Sequence, residues 1–206
     1  VSALAEGELL VALGTHPDRV APATHVRGTV LVASYELVLE DHRTQAYAQA
    51  LDSEFRDVLP PQTALSWMPM NVSVAHYRAM NAAFPDPAQQ VRNGVRSSER
   101  VQNAHIRTII RGLRATGQLS PETLLKRAPS FFGRFVSGGG VQVIKTGPKD
   151  ARVEFYGIPL LAVPYVRYGW QGMFESALGL LAYRCYVKQD PRFRRGEHMA
   201  LLCSWV

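Results

Sequence analysis

The sequence predicts an α+β domain: a helical N-terminal subdomain packed on a small antiparallel sheet, with closing elements in the order β-β-α-β-β. Three observations carry this. Apolar residues recur at spacings of three and four from Glu40 to Phe132, the period changes to two after Gly138-Gly139-Gly140, and one more apolar helical stretch divides the late strands into two pairs. The chain has 206 residues, 47% hydrophobic and 19% charged, which supplies one buried core and excludes a disordered acidic tail.

Each element follows from local chemistry. Residues 1–24 have weak periodicity and two Pro-marked loops, His16-Pro17-Asp18 and Ala21-Pro22; they read as an N-terminal extension or linker, with 25–206 as the single domain. Val26–Leu39 mixes strand and helix signals. Tyr47, Leu51, Phe55, Val58 and Leu59 form a helical face that Pro60-Pro61 stops. Asn71 or Ser73 is the expected cap of a helix carrying Val74, Tyr77, Met80 and Phe84. A longer helix is expected over 88–115, and Ser120-Pro121-Glu122 opens another, interrupted at Pro129. The stretches 141–146 and 151–156 alternate and flank Gly147-Pro148, which reads as a hairpin. A buried helix over 164–181 and strands over 183–188 and 199–206 complete the chain.

Composition narrows the function more by exclusion than by assignment. No run approaches the roughly eighteen apolar residues of a membrane span. The opening VSALAEGELL lacks the basic start of a secretory signal, and the Val in first place suggests a trimmed piece of a longer chain. Two cysteines, Cys185 and Cys203, cannot build a disulfide framework, so a reducing, cytoplasmic location is expected. Gly138-Gly139-Gly140 sits between helix and strand, the reverse of a phosphate loop, and reads as a hinge. His16, His25, His42, His76, His105 and His198 show no metal-ligand spacing. No serine lies in a nucleophile elbow and no carboxylate pair stands out, so a non-catalytic domain without cofactor or metal is expected.

Two side-chain groups are candidate sites. At about 100° per residue, Arg96, Arg100, Arg107, Arg111 and Arg114 fall within an arc of about 60°, away from Val95, Ile106, Ile109 and Leu113. Arginine suits bidentate carboxylate or phosphate pairing, so the stripe is a candidate contact for an acidic protein partner or a peripheral anionic surface. Its plainer reading is a solvated face with local pairs to acids such as Glu99. Arg192, Arg194 and Arg195 with Phe193 form a second basic patch, but aromatic interleaving is too sparse to favour nucleic acid. Phe131, Phe135, Tyr165, Tyr168, Trp170 and Phe174 are dense enough either to be core or to line an apolar ligand pocket.

Several segments, in order, resemble a domain family abundant in myxobacteria, within the superfamily of heme-nitric-oxide-binding domains, 4-vinyl-reductase-type domains and a subunit of the TRAPP vesicle-tethering complex. They are Val26-Arg27-Gly28-Thr29-Val30, the helix over 93–113, Leu124 to Phe132, Gly169 to Leu178, and Ser204-Trp205-Val206. The resemblance implies a helical subdomain on a small sheet, used for protein contact, with a homodimer admitted, or for sensing an apolar or tetrapyrrole-like molecule. It also implies where heme chemistry should stand. A proximal histidine would precede Pro129-Ser130-Phe131, yet the region near Thr116-Gly117 holds none, leaving His105 as the fallback. The propionate-binding Tyr-x-Ser-x-Arg signature is missing, Tyr165-Val166-Arg167 being no substitute, and the cysteine ligands of some 4-vinyl-reductase-type domains are absent.

Overall fold

A computed structural model describes residues 7–59, 65–101, 120–193 and 196–206. Among the described residues, helices α1 (Gly28–Glu40), α2 (Thr44–Ala50), α3 (Met70–Ala83), α4 (Pro87–Val101), α5 (Pro121–Lys126), α6 (Ala128–Phe132) and α7 (Pro164–Gly179) accompany eight strands. Strands β1 (Glu8–Val11), β5 (Gly140–Gly147), β6 (Asp150–Tyr156), β7 (Cys185–Gln189) and β8 (Met199–Trp205) form one antiparallel sheet in the order β1-β5-β6-β8-β7. Short strands β2 (His25–Arg27), β3 (Trp67–Pro69) and β4 (Val136–Ser137) form a second sheet, β3-β2-β4. The expected α+β class and the late order β-β-α-β-β are both present. Among the described residues no helix is long and apolar enough to cross a membrane.

The late hairpin pairs Val141 with Phe155 and Val143 with Val153. Successive strand residues point to opposite faces. Val141, Val143, Val153, Phe155, Leu201 and Cys203 therefore turn toward the helices and join the core, while Arg152, Glu154 and Tyr156 occupy the other face. Helix α7 lies on the first face and α4 packs against α7 at backbone distance. A Cβ built on Gly94 would stand 2.0 Å from the Gly169 carbonyl oxygen, and one on Gly172 would stand 2.0 Å from that of Val91.

Some boundaries differ from expectation for identifiable reasons. Val26–Leu39 is a three-residue strand followed by α1: Leu31, Leu37 and Val38 are fully buried, and that burial outweighs the strand preference of Val30 and Val32. The helical face read as far as Leu59 breaks after Ala50, and α1 and α2 are divided at Asp41-His42-Arg43, where His42 adopts φ 53°. Neither Asn71 nor Ser73 caps α3; Ser73 Oγ lies inside the helix and donates to the Pro69 carbonyl at 3.0 Å. Ser120 does cap α5, accepting from the Thr123 amide at 3.1 Å. Residues 7–24, set apart in sequence as an extension or linker, are built into the fold. Glu8–Val11 form an edge strand on β5, and Ala23 donates its amide to the Gly157 carbonyl. The Gly138-Gly139 bend that receives this segment has φ 89° and 72°, and a Cβ at Gly138 would meet the Pro22 carbonyl oxygen at 2.7 Å.

Candidate functional site

The six aromatics expected to line one pocket divide among several places. Trp170 and Phe174, one turn apart on α7, close over Phe155 of β6 at ring separations of 4.9 and 5.7 Å, and Phe132 joins them 5.8 Å from Trp170. Phe155 is 2% exposed and belongs to the core, and the half-buried Phe132, Trp170 and Phe174 pack on it and fill the space beside it. Tyr165, on the helical side, stacks on Tyr77 at 6.0 Å, with Phe84 at 6.2 Å. Phe131 is exposed and meets only Phe135 among these six, at 5.1 Å. Tyr168 is half-buried and precedes Trp170 by two residues, about 200° round the helix. The expected pocket is therefore not one pocket.

The arginine stripe is committed within the chain as far as it is described. Arg96 makes a two-pronged pair with Asp41 (Nη1–Oδ2 2.9 Å, Nη2–Oδ1 2.8 Å) and reaches Glu40 at 2.8 Å. Arg100 pairs with Glu40 and Glu36 and donates to the Ala33 carbonyl. Three carboxylates at the C-terminal end of α1 oppose that helix's own dipole, and the two guanidiniums of α4 offset them. The Arg96 side chain accordingly holds the Asp41 carboxyl below its ordinary range. The acidic surface met by Arg96 and Arg100 is thus α1. Arg107, Arg111 and Arg114 lie outside the described residues, as do Arg194 and Arg195. Arg192 pairs with Asp190, and Phe193 lies over the Arg152 guanidinium at 4.8 Å.

The helical subdomain holds a polar group that motif reasoning passed over. His76 of α3 is 0% exposed, and its two ring nitrogens lie 2.8 Å from Ser34 Oγ and 2.8 Å from Tyr47 Oη. Ser34 Oγ donates to the Leu31 carbonyl at 2.9 Å, which leaves it to accept from His76 Nε2–H. Nδ1 then accepts the Tyr47 hydroxyl proton, so one neutral tautomer satisfies the whole relay. Burial pushes the imidazole down to about 3 and raises the Tyr47 phenol. The signal was present in sequence: Val72, His76, Ala79 and Ala83 recur on the buried helical face that also carries Met80.

Tyr47 backs a cleft of about 430 Å³ between α1, α2 and the turn that follows. Tyr35, Leu51 and Leu59 wall it with Tyr47, while Gln45 and Arg56 supply polar groups. A second, smaller cleft of about 200 Å³ lies by Asn81 and Pro164. The thiols offer little chemistry: both are free, Cys185 Sγ donates to the Glu175 carbonyl, and burial pushes Cys203 up to about 12. Among the described residues no group of three His, Cys, Asp or Glu side chains is placed to hold a metal ion.

No family model matches the sequence, and no curated protein matches it. Solved structures do match the fold. The Fe(II) unliganded H-NOX protein of K. algicida superposes with a TM-score of 0.62 at 9% identity, covering 87% of this chain and 96% of that one. A point mutant of the same K. algicida protein gives 0.60 at 10% identity over the same shares. A chain from work on heme redox potential and protein-induced porphyrin distortion gives 0.53 at 8%, covering 86% and 97%. The chain therefore has an H-NOX-like α+β fold.

Heme, which such a fold implies, does not fit the described residues. The aromatic group between α7 and the sheet is filled by its own rings. Both nitrogens of His76 are taken. His198 accepts the Gly157 amide and packs on Tyr156, on the sheet face opposite Phe155. His16, His25 and His42 are exposed, and His105 lies outside the described residues. Arg167 is buried and donates to the Leu161 carbonyl.

Proposed function

We propose that this chain is a non-catalytic sensor domain that binds a small, largely apolar molecule without heme. The observation that carries the reading is the H-NOX-like fold across 87% of the chain, combined with an interior in which, among the described residues, neither a porphyrin nor an axial histidine has a place. The ligand site is the cleft on α1 and α2. Its volume of about 430 Å³ falls in the range of small-molecule sites, and Tyr35, Tyr47, Leu51 and Leu59 give it an aromatic and aliphatic wall beside the polar Thr44, Gln45, Gln49 and Arg56. The Tyr47–His76–Ser34 relay fixes the ring that forms its back wall. Partner contact through Arg107, Arg111 and Arg114 is a separate reading, for which no observation speaks.

Hemin titration and a fluorescent apolar probe test the proposal. Anilinonaphthalene sulfonate is expected to bind the purified chain, and Ala48→Trp, which fills the cleft from an exposed position, is expected to abolish that binding with Tm unchanged. Hemin is expected to give no stoichiometric Soret shift. A stable one-to-one hemin complex, or probe binding indifferent to Ala48→Trp, overturns the proposal.

A further inference from the structure

The two edges of the main sheet differ. β1 has four residues, begins at Glu8, and shifts register between Leu9 and Val11, features that blunt an edge. β7 pairs with β8 over five consecutive residues without a break, and its flank carries Tyr183 at 82% exposure and Tyr186 at 54%. Arg184 exchanges backbone hydrogen bonds with Val206, and Asp190 donates to the Ala200 carbonyl. By alternation, residues 184, 186, 188 and 190 turn their amides and carbonyls toward β8, while Cys185, Val187 and Gln189 turn theirs outward. Among the described residues no strand takes up that outward row.

We infer that β7 pairs antiparallel with β7 of a second copy, about a two-fold axis through Val187, joining the two sheets into one. Registers offset by an odd step set the outer face of one copy against the core face of the other. Of the remaining registers near full overlap, an axis through Tyr186 opposes Arg184 to Lys188, and an axis through Lys188 opposes that lysine to itself. The axis through Val187 satisfies all three outward-facing residues and sets each Tyr186 ring across from the second copy's Lys188, a favourable aromatic–cation pair made twice. The Tyr186 and Lys188 side chains are exposed, so they are available to meet. The occupant is a second copy of this chain because the same strand supplies both the outward backbone groups and the ring and cation that face one another.

Sedimentation velocity across the micromolar range at physiological ionic strength tests this. The wild-type chain is expected to dimerise. Tyr186→Lys sets lysine against lysine twice and is expected to weaken the dimer about tenfold or more. Adding Lys188→Glu to that variant sets opposite charges across from each other twice in this register, whereas an axis through residue 186 or 188 sets a substituted side chain against its own copy, and the addition is expected to restore the dimer. Matching Tm values show that the surface changes leave the fold intact. A wild-type chain that stays monomeric overturns the inference and leaves a strand from another protein as the occupant of this edge. A dimer indifferent to Tyr186→Lys, or a Tyr186→Lys monomer that Lys188→Glu does not rescue, overturns the register.

Discussion

Gly172→Ala changes one hydrogen for a methyl group at one of the two closest backbone approaches between α4 and α7. The new Cβ would stand 2.0 Å from the Val91 carbonyl oxygen and 3.0 Å from both the Val91 carbonyl carbon and the Val95 amide nitrogen. Ordinary carbon contacts begin near 3.5 Å, so α4 and α7 must separate by roughly 1.5 Å, and backbone atoms cannot rotate away. Alanine returns about 1 kcal/mol of helix propensity over glycine. Overpacking against a rigid neighbour costs about 3 kcal/mol, the upper part of its usual range. The net loss is about 2 kcal/mol, a fall in Tm of about 4–8 °C for a domain of this size. Gly169→Ala is the matched control, since a Cβ there meets nothing within 4 Å. It is expected to gain up to about 1 kcal/mol from propensity alone. Differential scanning calorimetry of the two variants should therefore give shifts of opposite sign. If Gly172→Ala melts above the wild type, the backbone contact between α4 and α7 is not as described.

The buried imidazole makes stability depend on pH. The folded His76 titrates near 3, below its ordinary 6.5, so the unfolded chain binds the extra proton between those values. Its contribution is fully present above about pH 6.5 and falls with acidification by up to about 1.4 kcal/mol per pH unit. Urea unfolding from pH 6.5 to 5, above the window in which Asp41 and Asp190 protonate, should show that slope in the wild type and lose it in His76→Gln. His76→Phe strands the Tyr47 hydroxyl, while the Ser34 hydroxyl keeps the Leu31 carbonyl as its acceptor, and is expected to cost about 1–3 kcal/mol, partly recovered by adding Tyr47→Phe; equal stability of His76→Phe and the wild type would dismiss the relay. A double-mutant cycle on Arg96→Gln and Asp41→Asn should give a coupling of about 1 kcal/mol that shrinks with salt, and zero coupling at low salt would show the pair to be inert. Phe155→Ala should cost about 3–5 kcal/mol as a core truncation, whereas a mild effect would mean that the aromatic group has room for a ligand after all.

The elements legible in sequence are those whose local signals agree with their tertiary setting. The 140–156 hairpin alternates and turns at Gly147-Pro148, and α5 carries both its Ser120 cap and Pro121. Where burial overrides propensity the signal fails, as at Val30 and Val32, which look like strand and sit in α1. Strands β2, β3 and β4 have two or three residues each, too short for any period to register. The arginine stripe was visible as a face, yet its partners at Glu36, Glu40 and Asp41 lie more than fifty residues upstream, and nothing local connects them. The aromatic residues of 131–174 are dense in sequence, yet the fold divides them among several places. Density in sequence says nothing of which side of a helix each ring leaves, and that is what separates Phe155, Trp170 and Phe174 from Phe131 and Tyr165.

Two helices that meet carbonyl to glycine have no side-chain layer between them, and a side-chain layer is what ordinarily absorbs small motions. Most helix pairs adjust to a push by rotating a few leucines. α4 and α7 have no such cushion at residues 91–94 and 169–172, so they behave as a single stiff plank, free to tilt together but not to part. One surface of that plank grips the end of α1 through Arg96 and Arg100, and the other rests on the sheet through Trp170 and Phe174. A tilt begun at either surface therefore arrives at the other with little of its amplitude lost.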